Sequence, residues 1–156
     1  MRIVQIITRL IVGGAQQNVL LTCRGLLERG HDLTLFTGPE TGVEGSMFNV
    51  AEKYEIPVRI IGHLRRNLLP LHDIQALSQL TKALRQLNPD IVHTHSSKAG
   101  ILGRVAARRA GVPVVLHTIH GLPFFRGQNP LRSRAYILAE RFAATKTEKI
   151  IAVAQA

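Results

Sequence analysis

Short apolar runs alternate with amphipathic stretches along the chain, and each repeat of this pattern predicts one strand and one helix. Brief apolar runs bounded by polar or turn residues are typical of buried strands, whereas apolar residues that recur every three or four positions are typical of helices packed on one face. The pattern predicts strands at 2–7, 32–37, 57–61, 91–94, 112–116 and 149–153. It predicts helices at about 15–29, 46–54, 73–87, 96–110 and 131–147.

This alternation predicts an α/β fold, a doubly wound, mostly parallel sheet with helices on both faces. Its strongest part is the stretch 90–121, which has the pattern of a strand, a crossover helix and a second strand. Parallel strands need such a crossover, because a tight hairpin would reverse the chain. Since ligands of open α/β sheets bind beyond the carboxyl ends of the strands, we expect a site near 95–98 and 117–121, where polar residues follow two strands.

Length and composition fit a single Rossmann-like domain spanning 1–156, and no apolar run is long enough to cross a bilayer. The first strand is too short and too polar at its flanks for a secretory signal. The single cysteine, Cys23, excludes an internal disulfide and suits a reducing cytoplasm. We expect a buried, inert thiol in the first helix.

The net charge is +10, and the part from Lys98 to Lys149 has ten Lys and Arg residues against two acids. Such a surface suits nucleic acid, an anionic membrane or a phosphate-bearing substrate, and solvated helix faces would account for it equally well. Nucleic acid is disfavoured, because aromatic residues make up only 4% of the chain and no recognised nucleic-acid motif is present.

A twin-glycine turn, Gly13-Gly14-Ala15-Gln16, separates the first strand from its helix. Glycines let a ligand approach the backbone closely, and the free N–H groups of a helix start attract anions. The turn lacks both the G-x-G-x-x-G dinucleotide fingerprint and the G-x-x-x-x-G-K phosphate loop. We interpret Gly13, Gly14 and Gln16 as candidate ligand-binding residues, and a tight turn without a ligand fits the sequence as well.

Four histidines lie near the carboxyl ends of two neighbouring strands: His93, His95, His117 and His120. His93 and His95 alternate on one side of a strand, and a hydrogen-bonded core position is favoured for His93. His95 and His120 are predicted to line a pocket, because a loop between strand and helix begins at each. We expect no metal, because no cysteine joins the histidines and their spacing does not fit a compact zinc finger.

Ser96, Ser97 and Lys98 open the crossover helix. Ser97 is predicted to cap this helix, to hydrogen-bond a ligand, or to do both. No G-x-S-x-G elbow surrounds either serine, so a hydrolase triad is not supported. The carboxylates near the predicted loop mouths, Glu40 and Glu44, lie in a long loop, which disfavours a glycoside hydrolase.

Several segments together resemble the amino-terminal half of a family 4 glycosyltransferase with the GT-B fold. They cover nearly the whole chain: G-G-A-Q at 13–16, L-L-E-R-G-H-D-L-T-L-F-T-G at 26–38, L-N-P-D-I-V-H-T-H-S-S-K-A-G-I-L-G-R at 87–104, G-V-P-V-V-L-H-T-I-H-G at 111–121 and K-I-I-A-V at 149–153. The segment at 95–104 and the H-G pair at 120–121 are most similar to bacterial enzymes that build surface polysaccharide or lipid-linked oligosaccharide.

The resemblance implies a retaining enzyme whose site lies in a cleft between two Rossmann-like halves. This half would hold a glycan or lipid-linked acceptor, and a missing carboxyl-terminal domain would hold most of the nucleotide-sugar donor. Gly13 and Gly14 would close over the donor diphosphate, and His120 would be the catalytic residue beside the donor sugar. Neither a cofactor nor an obligatory metal is implied. The remaining candidate substrate-binding residues are Gln16, His95, Ser97 and Lys98.

Two departures from the family concern the whole enzyme. The donor-side E-x-seven-E motif of the second half is absent, and Ala154 stands where relatives commonly carry serine. The chain stops just past a predicted strand, so we expect one half of a longer glycosyltransferase, without turnover on its own. The expected location is cytoplasmic and peripheral at the inner face of the cell membrane, with loops 64–66 and 124–126 facing anionic lipid.

A second interpretation is a non-catalytic Rossmann-like module that binds a nucleotide or phosphorylated ligand, or regulates a partner. A reading frame that continues past Ala156 into a second α/β half would favour the enzyme, whereas a natural stop there would favour the module. A basic nucleic-acid binder ranks last.

Overall fold

The computed structural model describes residues 1–39, 45–121 and 129–153. Its strands are β1 (Arg2–Ile7), β2 (Asp32–Thr37), β3 (Val58–Ile60), β4 (Ile91–His95), β5 (Val114–Ile119) and β6 (Lys149–Ala152). Its helices are α1 (Gly14–Leu27), α2 (Phe48–Lys53), α3 (Pro70–Leu87), α4 (Ser97–Ala110) and α5 (Pro130–Ala144). Strand and helix alternate as the hydrophobic pattern predicts.

The strands form one parallel sheet in the order β3-β2-β1-β4-β5-β6. The chain proceeds from β1 toward one edge of the sheet and from β4 toward the other, so the winding reverses between these two neighbours. Such a reversal opens a crevice at the carboxyl ends of the strands. The predicted doubly wound α/β fold is confirmed.

Each face of the sheet has its own apolar core. Val4 and Val92 belong to the core that packs under α3 and α4. Val19 and Leu33 belong to the core on the opposite face, under α1 and α2. Cys23 is buried in this second core as predicted, and burial raises the pKa of its thiol to about 12. No helix within the described ranges is long and apolar enough to cross a membrane.

Strand β5 spans Val114–Ile119 rather than the predicted 112–116. Pro113 has no N–H to donate, so the strand begins only after it. His117 and Thr118 pair in register with the last two residues of β4 and therefore remain in the sheet. The prediction that these two polar residues follow the strand is wrong.

Helix α3 begins at Pro70 rather than after a cap at Asp73. Proline suits the first helical position, because its φ is already helical and its missing N–H would have no partner there. Asp73 lies in the first turn instead, and its carboxylate is 2.5 Å from the Lys98 ammonium on α4. The predicted capping role of Asp73 is therefore wrong, and Asp73 instead forms an ion pair that joins α3 to α4.

Candidate functional site

Polar residues at the carboxyl ends of β1, β4 and β5 form one continuous edge. Thr8 follows β1, and its hydroxyl oxygen lies 2.7 Å from that of Ser96, which follows β4. Nδ1 of His95 lies 3.0 Å from Nε2 of His120, which follows β5. Hydrogen bonds thus join the two strand ends that the sequence predicts to line the site, those of β4 and β5, and connect the end of β1 to them.

A line of buried polar side chains leads from the sheet to His120. Oε1 of Gln5 is 2.6 Å from Nε2 of His95, which is only 1% exposed. The ring of His93 stacks at a tilt on that of His95, with centroids 4.2 Å apart, and its Nε2 lies 2.7 Å from Oγ1 of Thr118. His93 is hydrogen-bonded as predicted, whereas His95 lies behind His120 rather than at the wall of a cavity.

Burial keeps these histidines neutral. Burial, together with the neighbouring histidines, lowers the pKa of His95 to about 2. It also lowers the pKa values of His93 and His117 to about 4 and shifts that of His120 downward. A neutral imidazole has one N–H and one lone pair, so each hydrogen bond in the line has a defined direction.

Thr8, rather than Ser97, caps α4. The N–H of Ala99 donates to Oγ1 of Thr8 at 3.1 Å, while Ser96 occupies the cap position without a side-chain cap bond. Ser96 has φ 60° and ψ 159°, a backbone conformation that few residues other than glycine adopt. The predicted capping role of Ser97 is therefore wrong, and Ser97 is the first residue of the helix.

Two glycines let α4 approach the sheet closely. A Cβ on Gly100 would lie 2.6 Å from Cε1 of His117, and a Cβ on Gly103 would lie 2.8 Å from Cγ2 of Thr94. The space at Gly100 holds the His117 ring, whose Nδ1 is 3.0 Å from Oγ1 of Thr94. Packing alone thus explains why the G-I-L-G-R segment has glycine at positions 100 and 103.

Arg104, the last residue of that segment, is fully buried. Its Nε donates to the Gly100 carbonyl at 2.8 Å, and its Nη2 donates to Oε2 of Glu140 at 2.5 Å. The pair joins α4 to α5 and places the Glu140 carboxylate in the wall of a cavity. The sequence pattern singles out neither residue, because lone charged residues on helices are usually exposed.

Two cavities flank Ser96 and Ser97, which line both of them and form the wall between them. The first cavity is also lined by His117, Thr118, His120, Glu140, Arg141 and Ile150. The second has a volume of about 590 Å³ and is also lined by Thr8, Arg9, Gln16, Arg66, Lys98 and Tyr136. Four predicted site residues thus meet here, with His120 on one side of the wall, Gln16 and Lys98 on the other, and Ser97 in it.

The two predicted site residues that line only the second cavity, Gln16 and Lys98, have partners within the chain. Lys98 pairs with Asp73 and donates to the carbonyl oxygen of Asn67. Nε2 of Gln16 donates to the Arg9 carbonyl at 3.3 Å. A ligand in this cavity would share these groups with their present partners.

Gly13 and Gly14 line neither cavity and lie at the start of α1, next to Gln16. A Cβ on Gly13 would meet the Gln16 side chain at 2.7 Å. A Cβ on Gly14 would meet no atom within 4 Å, so the described part of the chain gives no packing reason for this glycine. As far as the described residues go, the space over Gly14 is therefore open.

A third cavity adjoins the second between α3, α4 and α5. Leu68, Lys98 and Tyr136 line both of them. The rest of its wall is largely apolar and includes Ile101, Leu102, Ala135 and Ala139. A polar cavity is thus followed directly by an apolar one, which no sequence motif indicates.

Some predicted residues lie outside the described ranges: Glu40, Glu44, the segment 124–126 and Ala154. Among the residues that the structure does describe, no group of three or more His, Cys, Asp and Glu side chains could hold a metal ion. The four histidines in and after β4 and β5 hydrogen-bond to one another or to neighbouring Gln and Thr side chains.

A doubly wound parallel sheet with cavities at its carboxyl edge defines a Rossmann-like domain. Residues 13–156 match the family described as the Glycosyl transferase 4-like domain. The chain belongs to this family, and the resemblance found in its sequence is confirmed.

Two curated relatives illustrate the match in sequence. The chain is 48% identical, over 88 residues, to the Escherichia coli UDP-Gal:alpha-D-GlcNAc-diphosphoundecaprenol alpha-1,3-galactosyltransferase. This alignment covers 56% of this chain and 23% of that protein. It is 32% identical over 107 residues to the putative glycosyltransferase EpsD of Bacillus subtilis, and this alignment covers 67% of this chain and 26% of that protein. The chain thus spans about a quarter of the length of these relatives.

Solved structures share the fold at low sequence identity. MurG of Acinetobacter baumannii superposes with a TM-score of 0.69 at 17% identity, covering 97% of this chain and 41% of that one. A putative UDP-N-acetylglucosamine 2-epimerase of Listeria monocytogenes gives a TM-score of 0.71 at 13% identity, covering 97% and 39%. The predicted Rossmann-like half of a GT-B fold is confirmed, and this fold does not by itself distinguish a transferase from an epimerase.

Proposed function

We propose that this chain is the acceptor-binding half of a retaining, nucleotide-sugar-dependent glycosyltransferase that acts on a polysaccharide or lipid-linked acceptor. Its family supports transferase chemistry. The name of the Escherichia coli relative specifies a UDP-sugar donor and a diphosphoundecaprenol acceptor, which supports these substrate classes for the present chain.

The observation that carries the proposal is the wall formed by Ser96 and Ser97 between two cavities. A transferase must bring the reacting ends of two substrates together, and adjoining cavities that share a polar wall suit this requirement. His120 lies on one side of this wall and Gln16 on the other. We assign the side of His120 to the donor sugar and the side of Gln16 to the acceptor.

The start of α1 suits the departing diphosphate. Transfer breaks the bond between the anomeric carbon and a phosphate oxygen and forms a bond from that carbon to the oxygen of an acceptor hydroxyl. The hydroxyl loses its proton to the departing diphosphate or to water, and negative charge remains on the nucleotide. Backbone N–H groups at a helix start stabilise such charge without a cation. The open space over Gly14 would let a phosphate approach them. The proposal includes neither a metal nor another cofactor.

The second and third cavities together suit an amphiphilic acceptor. Arg9, Arg66 and Lys98 line the polar cavity, and guanidinium and ammonium groups recognise phosphate oxygens. The apolar cavity beyond Leu68 and Tyr136 would cover the first carbons of a lipid chain. A diphosphate joined to a polyprenyl chain has this polarity.

Exposed apolar side chains beside the third cavity suit a membrane surface. Leu68, just before α3, is 55% exposed, and Leu71 and Ile74, in the first turns of α3, are 77% and 66% exposed. The basic residues 65–66 precede them. Apolar and basic groups presented together favour the interface of an anionic bilayer. Leu64 is fully buried, so the expected lipid contact at that position is wrong. We propose a peripheral position at the inner face of the membrane.

Calorimetric titration of the chain with a short-chain GlcNAc-diphosphoryl lipid, and separately with UDP, tests the proposal. We expect saturable binding of the lipid that Lys98→Gln weakens about tenfold, which corresponds to about 1.4 kcal/mol. Lys82→Gln, at an exposed lysine of α3, is the matched control and should leave this affinity unchanged. Saturation by UDP without binding of the lipid would identify a nucleotide-binding module instead.

A further inference from the structure

We propose that Gln5 and His95 are positioning residues that fix the tautomer of His120, so that His120 offers the lone pair of Nδ1 to a substrate hydroxyl. The identity of the substrate rests on the proposed function. The tautomer itself is a property of the free chain and can be measured without any ligand.

The direction of the hydrogen bonds follows from Gln5. A carboxamide oxygen only accepts, and Oε1 of Gln5 lies 2.6 Å from Nε2 of His95. Nε2 of His95 therefore carries a proton. Because burial holds the pKa of His95 at about 2, the ring is neutral at pH 7 and has no second proton. Its Nδ1 is left with a lone pair.

The next hydrogen bond passes this constraint to His120. Nδ1 of His95 lies 3.0 Å from Nε2 of His120, and since it can only accept, Nε2 of His120 must donate. A neutral His120 has no proton left for Nδ1. Among the described residues, Nδ1 of His120 has no hydrogen-bond partner. His120 lines the first cavity, so the lone pair of its Nδ1 is an acceptor at the site for a hydrogen bond from a ligand.

The cost of burying Gln5 supports a dedicated role. Gln5 is 1% exposed within the otherwise apolar run I-V-Q-I-I of β1. Burying a carboxamide costs free energy unless it is hydrogen-bonded, and in the described structure the side chain of Gln5 bonds to His95. The stacked ring of His93, itself bonded to Thr118, supports His95 from the other side.

The tautomer has a chemical consequence at the substrate. A hydroxyl that donates its proton to Nδ1 keeps both oxygen lone pairs, whereas a hydroxyl that accepts from an Nδ1–H uses one of them. The first arrangement leaves the oxygen richer in electrons and the second makes it poorer. Gln5, which lies too deep to touch substrate, would thus decide what His120 does to a hydroxyl.

Two-bond proton–nitrogen correlation spectra of the chain, labelled with nitrogen-15 in its histidines, distinguish the two neutral tautomers. We expect His95 and His120 both to be protonated on Nε2 at pH 7. Protonation of both rings on Nδ1, which requires the Gln5 amide in the opposite orientation, would overturn the proposal. This spectrum contains no substrate, so it decides the tautomer even if the proposed transferase function fails.

A variant tests whether Gln5 is the cause. Gln5→Met removes the acceptor at similar volume, and we expect His120 to change from one tautomer to a mixture of both. Thr94→Val is the matched control, because it removes a buried hydroxyl from the neighbouring strand without touching the line from Gln5 to His120. An unchanged His120 signal in Gln5→Met would overturn the role of Gln5. If this variant does not fold, the spectrum of the parent chain still decides the assignment.

Discussion

Nη2 of Arg104 lies 2.5 Å from Oε2 of Glu140, and the Arg104 side chain is completely buried where α4 meets α5. A buried guanidinium needs a partner, because removal from water costs it several kcal/mol. The pair also fixes the Glu140 carboxylate in the wall of the cavity that contains His120. The packing of these two helices and the shape of the candidate donor side thus depend on one ion pair.

Glu140→Gln should lower the free energy of unfolding by about 3 kcal/mol, since it leaves the Arg104 charge buried without compensation. Urea unfolding followed by circular dichroism measures this change. Glu28→Gln is the control, because Glu28 pairs with Arg24 on the exposed face of α1 and should contribute far less. Equal losses in the two variants would show that the buried pair has no special role.

The backbone strain at Ser96 predicts an unusual order of stability. Ser96→Ala keeps φ at 60° and loses the hydrogen bond to Thr8, so it should lower the free energy of unfolding by about 1 kcal/mol. Ser96→Gly loses the same bond but relieves strain of about 1–3 kcal/mol, so it should be the more stable of the two. Thermal unfolding measures both, and a glycine variant less stable than the alanine variant would contradict the strain.

The close approach of α4 to the sheet predicts that Gly100→Ala is destabilising. The added Cβ would lie 2.6 Å from Cε1 of His117, a buried ring that Thr94 holds by a hydrogen bond, and overpacking of this kind costs about 1–3 kcal/mol. Gly62→Ala is the control, because a Cβ there would meet nothing within 4 Å. Chemical denaturation should separate the two variants, and comparable stabilities would argue against tight packing at Gly100.

The buried histidines predict that acid weakens the fold. In the unfolded chain their pKa values are near 6.5, whereas in the folded chain those of His93 and His117 are about 4 and that of His95 is about 2. As the pH falls, the unfolded state therefore takes up protons before the folded state does. The contribution of these histidines to the free energy of unfolding is fully present above pH 6.5 and is lost as the pH drops toward 4. The slope is at most about 1.4 kcal/mol per pH unit for each histidine.

Urea unfolding between pH 7.5 and pH 5 measures this slope. His93→Gln should make it shallower, because that variant has one histidine fewer to protonate on unfolding. A free energy of unfolding that stays constant over this range would contradict the burial of neutral imidazoles.

Much of the fold can be predicted from the sequence, because buried parallel strands are apolar on both faces and stand out from amphipathic helices. The prediction that failed most informatively is the position at which β5 ends. His117 and Thr118 look like loop residues because they are polar, yet partners on β4 hold them in the sheet. A polar residue can extend a strand when another strand satisfies it, and a single sequence does not contain that information.

The site is predictable in position but only partly in composition. The carboxyl ends of the strands indicate where it lies, and Ser97 and His120 line its first cavity. Gln5 is missed because it is a lone polar residue within an apolar run, and its long-range partner is unknown from sequence. Thr8 is missed because its hydroxyl caps a helix that begins 89 positions later in the chain. Such contacts follow from the order of the strands rather than from local patterns.

Mapping of backbone amide shifts during titration with a short-chain GlcNAc-diphosphoryl lipid tests the central claim most directly. We predict that the amides of Gln16, Ser97 and Leu102 move together and saturate at one affinity, while those of Gly30 and Asn88, at the opposite edge of the sheet, stay in place. Shifts confined to the opposite edge, or no shift at all at saturating lipid, would contradict an acceptor site at the carboxyl ends of the strands.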